Sequence, residues 1–188
     1  MKRLFLLTLA AICLLTVNVV AEAAVSSKSN VAVVIVGGAD YRTKDFTNYT
    51  KDYFELSNDE KVIQGKDVQN KYQKYWFSKG MIDEGTPTKE DFIKFVNYAG
   101  YNKVIYLVIK DSVLEQHGRT KGKDRSRISL TVNAFIVDKT HIVESASSTN
   151  EEDSKTSELR AKRGAFKMCV KEISETFNPI LNPGGYKR

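Results

Sequence analysis

Val31-Ala32-Val33-Val34-Ile35-Val36-Gly37-Gly38 is the stretch from which the fold can be read. Six consecutive apolar residues, five of them β-branched, stiffen the chain into a strand, and the two glycines end it. Successive side chains of a strand point to opposite faces, so a run apolar at every position is buried on both sides. Such a strand needs a layer above it and a layer below, and in a chain of this length those layers are helices.

The period changes after the glycines. Phe46, Tyr49, Tyr53 and Leu56 share one helical face, with Asp45 as the expected N-cap. Lys61 to Gly65 is a short strand candidate, and Val68, Tyr72, Tyr75 and Trp76 mark a second helix closing near Gly80. Thr88 with Asp91 three residues on predicts a capped third helix, with Phe92, Ile93, Phe95, Val96 and Ala99 inward and Gly100 as its stop. Val104 to Ile109 repeats the two-sided apolar pattern of the first strand.

Residues 117–127 carry no apolar period and read as a loop. Ile128, Leu130, Val132, Ala134 and Ile136 then alternate with polar residues, and Ile142 to Ala146 returns after a turn at Asp138-Lys139. Ser147 to Thr156 reads as a polar connection. Leu159, Phe166, Val170, Ile173 and Phe177 define a last helix, with Arg160, Lys162, Arg163, Lys167 and Lys171 on its other faces and Pro179 as its end. The expectation is one α/β domain, a mixed sheet of about five strands flanked by about four helices.

Upstream of this domain, Met1-Lys2-Arg3 is a cationic start and Leu4 to Val20 an apolar run, followed by the small-x-small triplet Ala21-Glu22-Ala23. This is the pattern of a cleaved secretory signal, 1–23, leaving a domain of 24–188. The run is also about long enough for a membrane anchor, and the cleavage triplet directly behind it favours removal. Cys13 follows Ile12 within the run, which does not fit a lipid-anchor signal. The remainder holds 27 basic and 22 acidic residues, no apolar run of membrane length and a single cysteine, Cys169, so it has no internal disulfide. Export sets nucleic acid aside as the reason for the positive charge and leaves an envelope protein or an anionic envelope polymer as the expected partner.

The order of elements behind an export leader resembles a group of bacterial envelope domains. The group includes the amino-terminal domain of TolB, the curli-secretion lipoprotein and the outer-membrane lipoproteins that activate penicillin-binding proteins. The resemblance lies in the Val31–Val36 strand, in Tyr98-Ala99-Gly100-Tyr101-Asn102-Lys103-Val104-Ile105-Tyr106, and in residues 132–145 around the aspartate turn. Here Tyr101-Asn102 stands where the group often has a small-acidic dipeptide, and the lipid-bearing cysteine is missing. The resemblance implies an exported, non-catalytic protein of the periplasm or cell envelope that works by contact with another macromolecule.

Residues with chemistry are few. His117 and His141 lie far apart and form no metal motif, so neither metal nor cofactor is expected. Gly118 and Gly122-Lys123 miss the spacing of a phosphate-binding loop, and Gly37-Gly38 lacks the third glycine of a dinucleotide site. Tyr72, Tyr75 and Trp76 sit at core spacing. Two groups remain. Arg119, Lys121, Lys123, Arg125 and Arg127 form a basic loop expected to lie beside the acidic flank of Glu144, Glu151, Glu152 and Asp153; the two either neutralise each other in solvent or make a docking site for an anionic partner. Asp40 and Asp45, after the first strand, are the carboxylates a hydrolase would use, since open α/β sheets bind ligands at the carboxyl ends of their strands.

Overall fold

The computed structural model describes residues 29–57, 59–80, 87–117 and 125–185. A single five-stranded sheet runs in the order β2-β1-β3-β4-β5. Its strands are β1 (Ser29–Val36), β2 (Glu60–Ile63), β3 (Lys103–His117), β4 (Arg125–Asp138) and β5 (Ile142–Ser154). β1 is parallel to β2 and to β3, while β3, β4 and β5 form an antiparallel meander. The helices are α1 (Lys44–Tyr53), α2 (Lys66–Ser78), α3 (Lys89–Ala99) and α4 (Glu158–Leu181). The mixed α/β architecture is therefore the one expected, and the leader before residue 29 lies outside the described residues.

The strict alternation of β1 sorts it between two cores. Val31, Val33 and Ile35 face α1 and α4, joined there by Ile105, Leu107 and the inward residues of β4. Ala32, Val34 and Val36 face α2 and α3, whose Tyr72, Tyr75, Trp76, Phe92 and Phe95 form one aromatic cluster that meets Tyr106 of β3 edge-on through Phe95 and tilted through Phe92 and Tyr72. At roughly 1.5–3 kcal/mol per fully buried large apolar side chain, these two layers supply the drive for folding. Asn178 on α4 ties α1 down as well, donating to the Tyr53 carbonyl at 2.9 Å and accepting from the Glu55 amide at 3.0 Å.

Local signals behave as their chemistry requires at α3. Thr88 and Asp91 close the reciprocal capping box, and Gly100 takes the left-handed conformation (φ 72°) that ends the helix. At α1 the N-cap is Thr43, not Asp45, which sits in the first turn. Gly37 lies close against the neighbouring strand: a Cβ there would sit 3.1 Å from Ile109 Cβ, tighter than ordinary contact.

Three expectations are corrected. The loop over 117–127 shrinks, because β3 continues to His117 and β4 begins at Arg125, with 118–124 outside the described residues. Ser147 to Ser154 is strand, not connection: its alternate residues Ser148 and Ser154 are buried under α4, and hydrogen bonds satisfy them. The Ser148 and Asn150 side chains both donate to Glu172 of α4, which lets a polar sequence lie flat beneath a helix. Finally, α4 runs through Pro179 to Leu181, the ladder resuming with Asn182 N–H donating to the Asn178 carbonyl. Near a helix end, the missing proline N–H disturbs only the last turn.

Candidate functional site

At the carboxyl end of β1, a short 3-10 turn (Ala39–Arg42) distributes its side chains in different directions. Tyr41 turns inward, fully buried, with its ring edge-on to Phe46 at 5.0 Å and its hydroxyl donating to Asp111 Oδ2 at 2.8 Å. Asp40 turns toward α4. There Lys162, which sequence periodicity puts on a solvent face, is buried. Its position follows from Ala161 and Ala165 around it, small residues that bring α4 close to the sheet.

Lys162 Nζ is the centre of a cluster. It lies 2.8 Å from Glu158, 3.2 Å from Asp40 and 3.3 Å from Asp111, and 5.6 Å from the centre of the Tyr41 ring. Its side chain is 11% exposed, whereas Asp40, Asp111 and Glu158 are 62%, 34% and 36% exposed. Burial alone would lower the lysine pKa, but its hydrogen bonds to Glu158 and Asp40 and the charge of Asp111 override that effect and raise it well above the ordinary value. Tyr41 is also pushed far up, first by burial and then by its hydrogen bond to Asp111 and that residue's charge. Near neutral pH both groups hold their protons firmly. Neither is tuned as a general base or a nucleophile, which would need a pKa brought toward the working pH.

The two carboxylates singled out from sequence are thereby separated in role. Asp40 belongs to the Lys162 cluster, while Asp45 pairs with Arg163, the next residue of α4. Consecutive helix residues diverge by about 100°, so the two acids answer to different cations. Among the described residues, no group of three or more His, Cys, Asp and Glu side chains is arranged to hold a metal. His141 is an exposed turn residue beside Asp138, and Cys169 is fully buried with its thiol directed at the Leu130 and Ser148 carbonyls.

Of the basic loop, Arg119, Lys121 and Lys123 lie outside the described residues, and the Arg125 backbone opens β4. Arg127 stands opposite Asp153 in the β4–β5 register and pairs with Glu151 at 2.5 Å. At Arg127, one residue of the basic segment meets the acidic one, through strand pairing and not between two loops. What sequence reasoning missed is Lys162 with Asp111, Tyr41 and Glu158. The available signal was Glu158–Lys162 at i, i+4, within the stripe of small and apolar residues that α4 turns inward.

No family model matches the chain. No curated protein matches it in sequence. Among solved structures it is similar to lipoprotein GNA1162 from Neisseria meningitidis, at 16% identity over 81% of this chain and 97% of that one, with a TM-score of 0.44. It is also similar to the hypothetical protein CT253 from Chlamydia trachomatis, at 11% identity, 82% and 98% coverage, and a TM-score of 0.44. A third similar structure is the LpoB C-terminal domain from Salmonella enterica, at 12% identity, 68% and 85% coverage, and a TM-score of 0.34.

Proposed function

We propose that the protein is exported by its amino-terminal leader, with cleavage after Ala23, and acts without catalysis as a binding or accessory protein of the cell envelope. It would dock through the basic end of the β3–β4 hairpin, residues Arg119, Lys121, Lys123, Arg125 and Arg127, onto an anionic protein or polymer. The observation that carries this reading is the length of that hairpin. β1 stops at Val36 opposite Val108, while the β3–β4 ladder continues to His117 paired with Arg125. Nine further residues at about 3.4 Å each carry β3 about 30 Å past the end of β1, with β4 and β5 beside it as far as the Ser126–Ser154 pair and Ile128 and Leu130 buried in the core on the α4 side. The cation-rich sequence that joins β3 to β4 at this end of the sheet suits electrostatic encounter with a large anionic surface.

A hydrolase at Asp40 and Asp45 is the second reading. It is disfavoured by the pairing of each acid with its own cation of α4 and by the proton-retaining shifts of Lys162 and Tyr41.

The test is capture from envelope extract by cross-linking, with wild type beside a variant carrying glutamate at 119, 121, 123 and 125. Arg127 stays, because reversing it would set like charges against Glu151. A partner identified by mass spectrometry, captured by wild type and lost by the variant at unchanged melting temperature, is the expected result. Equal capture by both overturns the assignment of the hairpin tip.

A further inference from the structure

β2 is short. It pairs with β1 only from Ser29 to Ala32 and ends at Ile63, four residues before β1 does. The outer edge of Ile35 is taken up by a side chain instead: the Gln69 carboxamide, buried, donates to the Ile35 carbonyl at 2.6 Å and accepts its N–H at 3.2 Å. Where β2 is missing, a cleft of about 500 Å³ opens between the starts of α1 and α2. Its walls are Arg42, Lys44 and Thr47 on one side and Gly65, Lys66, Gln69, Asn70 and Gln73 on the other.

Three of those eight residues are cations and none is an acid. Arg42 is fixed in place by two hydrogen bonds to the Gly37 carbonyl, at 2.7 and 3.2 Å, while Lys44 and Lys66 are exposed. The first turns of α1 and α2 each carry one acid, Asp45 and Asp67. Asp45 pairs with Arg163, and Asp67 lies toward Tyr101, whose hydroxyl pKa is raised by burial and then by that carboxylate. The two helices that open onto the cleft, α1 and α2, have no side-chain cap on their first-turn amides. α3 and α4, which start elsewhere, are capped by Thr88 and Ser157. The cleft also lies at the carboxyl ends of two adjacent parallel strands, where open α/β sheets take their ligands.

We propose that this cleft, lined by Arg42, Lys44, Lys66, Thr47, Asn70 and Gln73, binds a small multiply charged oxyanion, a phosphate- or carboxylate-bearing molecule. A volume of this size lies within the range of small-molecule sites and exceeds what a single inorganic ion fills. The lysines meet the charged groups, and the side-chain amides of Asn70 and Gln73 meet the neutral oxygens between them, while the Thr47 hydroxyl, which donates to the Lys44 carbonyl, forms the floor. This site is separate from the hairpin tip and stands or falls independently of the docking reading.

Inorganic pyrophosphate and citrate are the probes, titrated by calorimetry and by amide NMR into the purified protein at low salt. Binding of either is expected, with shifts confined to the amides around 43–47 and 65–70. Pyrophosphate alone would assign the phosphate class and citrate alone the carboxylate class. The Lys44→Glu, Lys66→Glu double variant should weaken binding by at least about tenfold at an unchanged melting temperature. If that variant fails to fold, the map of amide shifts on wild type decides. Absence of binding by both probes overturns the proposal, as does binding that the variant leaves intact or amide shifts located elsewhere.

Discussion

Replacing Lys162 by methionine tests the charge cluster most directly. Methionine keeps an unbranched stem of similar length over the Tyr41 ring and removes only the ammonium, leaving Asp40, Asp111 and Glu158 facing one another without a counter-charge. Breaking a fully buried pair from one side costs about 3–5 kcal/mol. Here the acids are a third or more exposed and can recover hydration, so the cost is discounted to about 2 kcal/mol. For a protein of this size that is a fall in melting temperature of about 4–8 °C. The lysine pKa is raised by folding, so its contribution is complete below the unfolded value of about 10.5 and is lost only as pH climbs through the higher folded value. The gap between wild type and Lys162→Met should therefore be level from pH 6 to 9, followed by circular dichroism melts. Adding Asp111→Asn and Glu158→Gln should recover most of the loss. A loss of under about 2 °C, or one those neutral partners fail to recover, would show that charge compensation is not what holds this end of α4.

Two further perturbations probe local devices. Asp138 Oδ1 accepts from the Thr140 and His141 amides at 2.7 and 2.8 Å and so fixes the β4–β5 turn. Partial burial would raise its pKa, but those bonds win and lower it, so its contribution is present above the unfolded value of about 3.9 and is lost as pH falls through the folded one. Asp138→Ala should lower the melting temperature by about 2–8 °C at pH 7, from about 1–2 kcal/mol, with the difference shrinking in acid. At the capping box, the Thr88 hydroxyl is the largest influence holding the Asp91 carboxyl below its ordinary pKa. Thr88→Ala should cost about 1 kcal/mol and return the Asp91 titration, followed by NMR, toward the ordinary range; an unmoved titration would contradict that assignment.

Much of the fold is legible because its signals are local. The β-branched run of β1, the box at Thr88 and the alternation of Ile128 to Ile136 each state their conformation within a few residues. The ends of β3, β4 and β5 are not, because nothing within Ser147 to Ser154 is apolar. That segment is a strand because β4 offers it a ladder and α4 offers Glu172 to its side chains, both distant in sequence. Lys162 was misplaced for the related reason that a lysine on a helix is ordinarily a solvent residue. Only the approach of Asp40 and Asp111, 122 and 51 positions away, gives the ammonium a reason to be buried.

The same four-residue turn explains why this end of the sheet carries two electrostatic environments of opposite sign. Asp40 points to the α4 side, where three carboxylates surround one ammonium and the local charge is negative. Arg42, two residues later, folds back onto Gly37 and lines the cleft on the other side, where three cations stand with no acid among the lining residues. Tyr41 between them is locked in the core by Phe46 and Asp111 and keeps the two apart. The acids then serve to hold α4 onto the sheet, while Lys44 and Lys66, exposed at the starts of α1 and α2, stand at the cleft where a soluble anion can reach them.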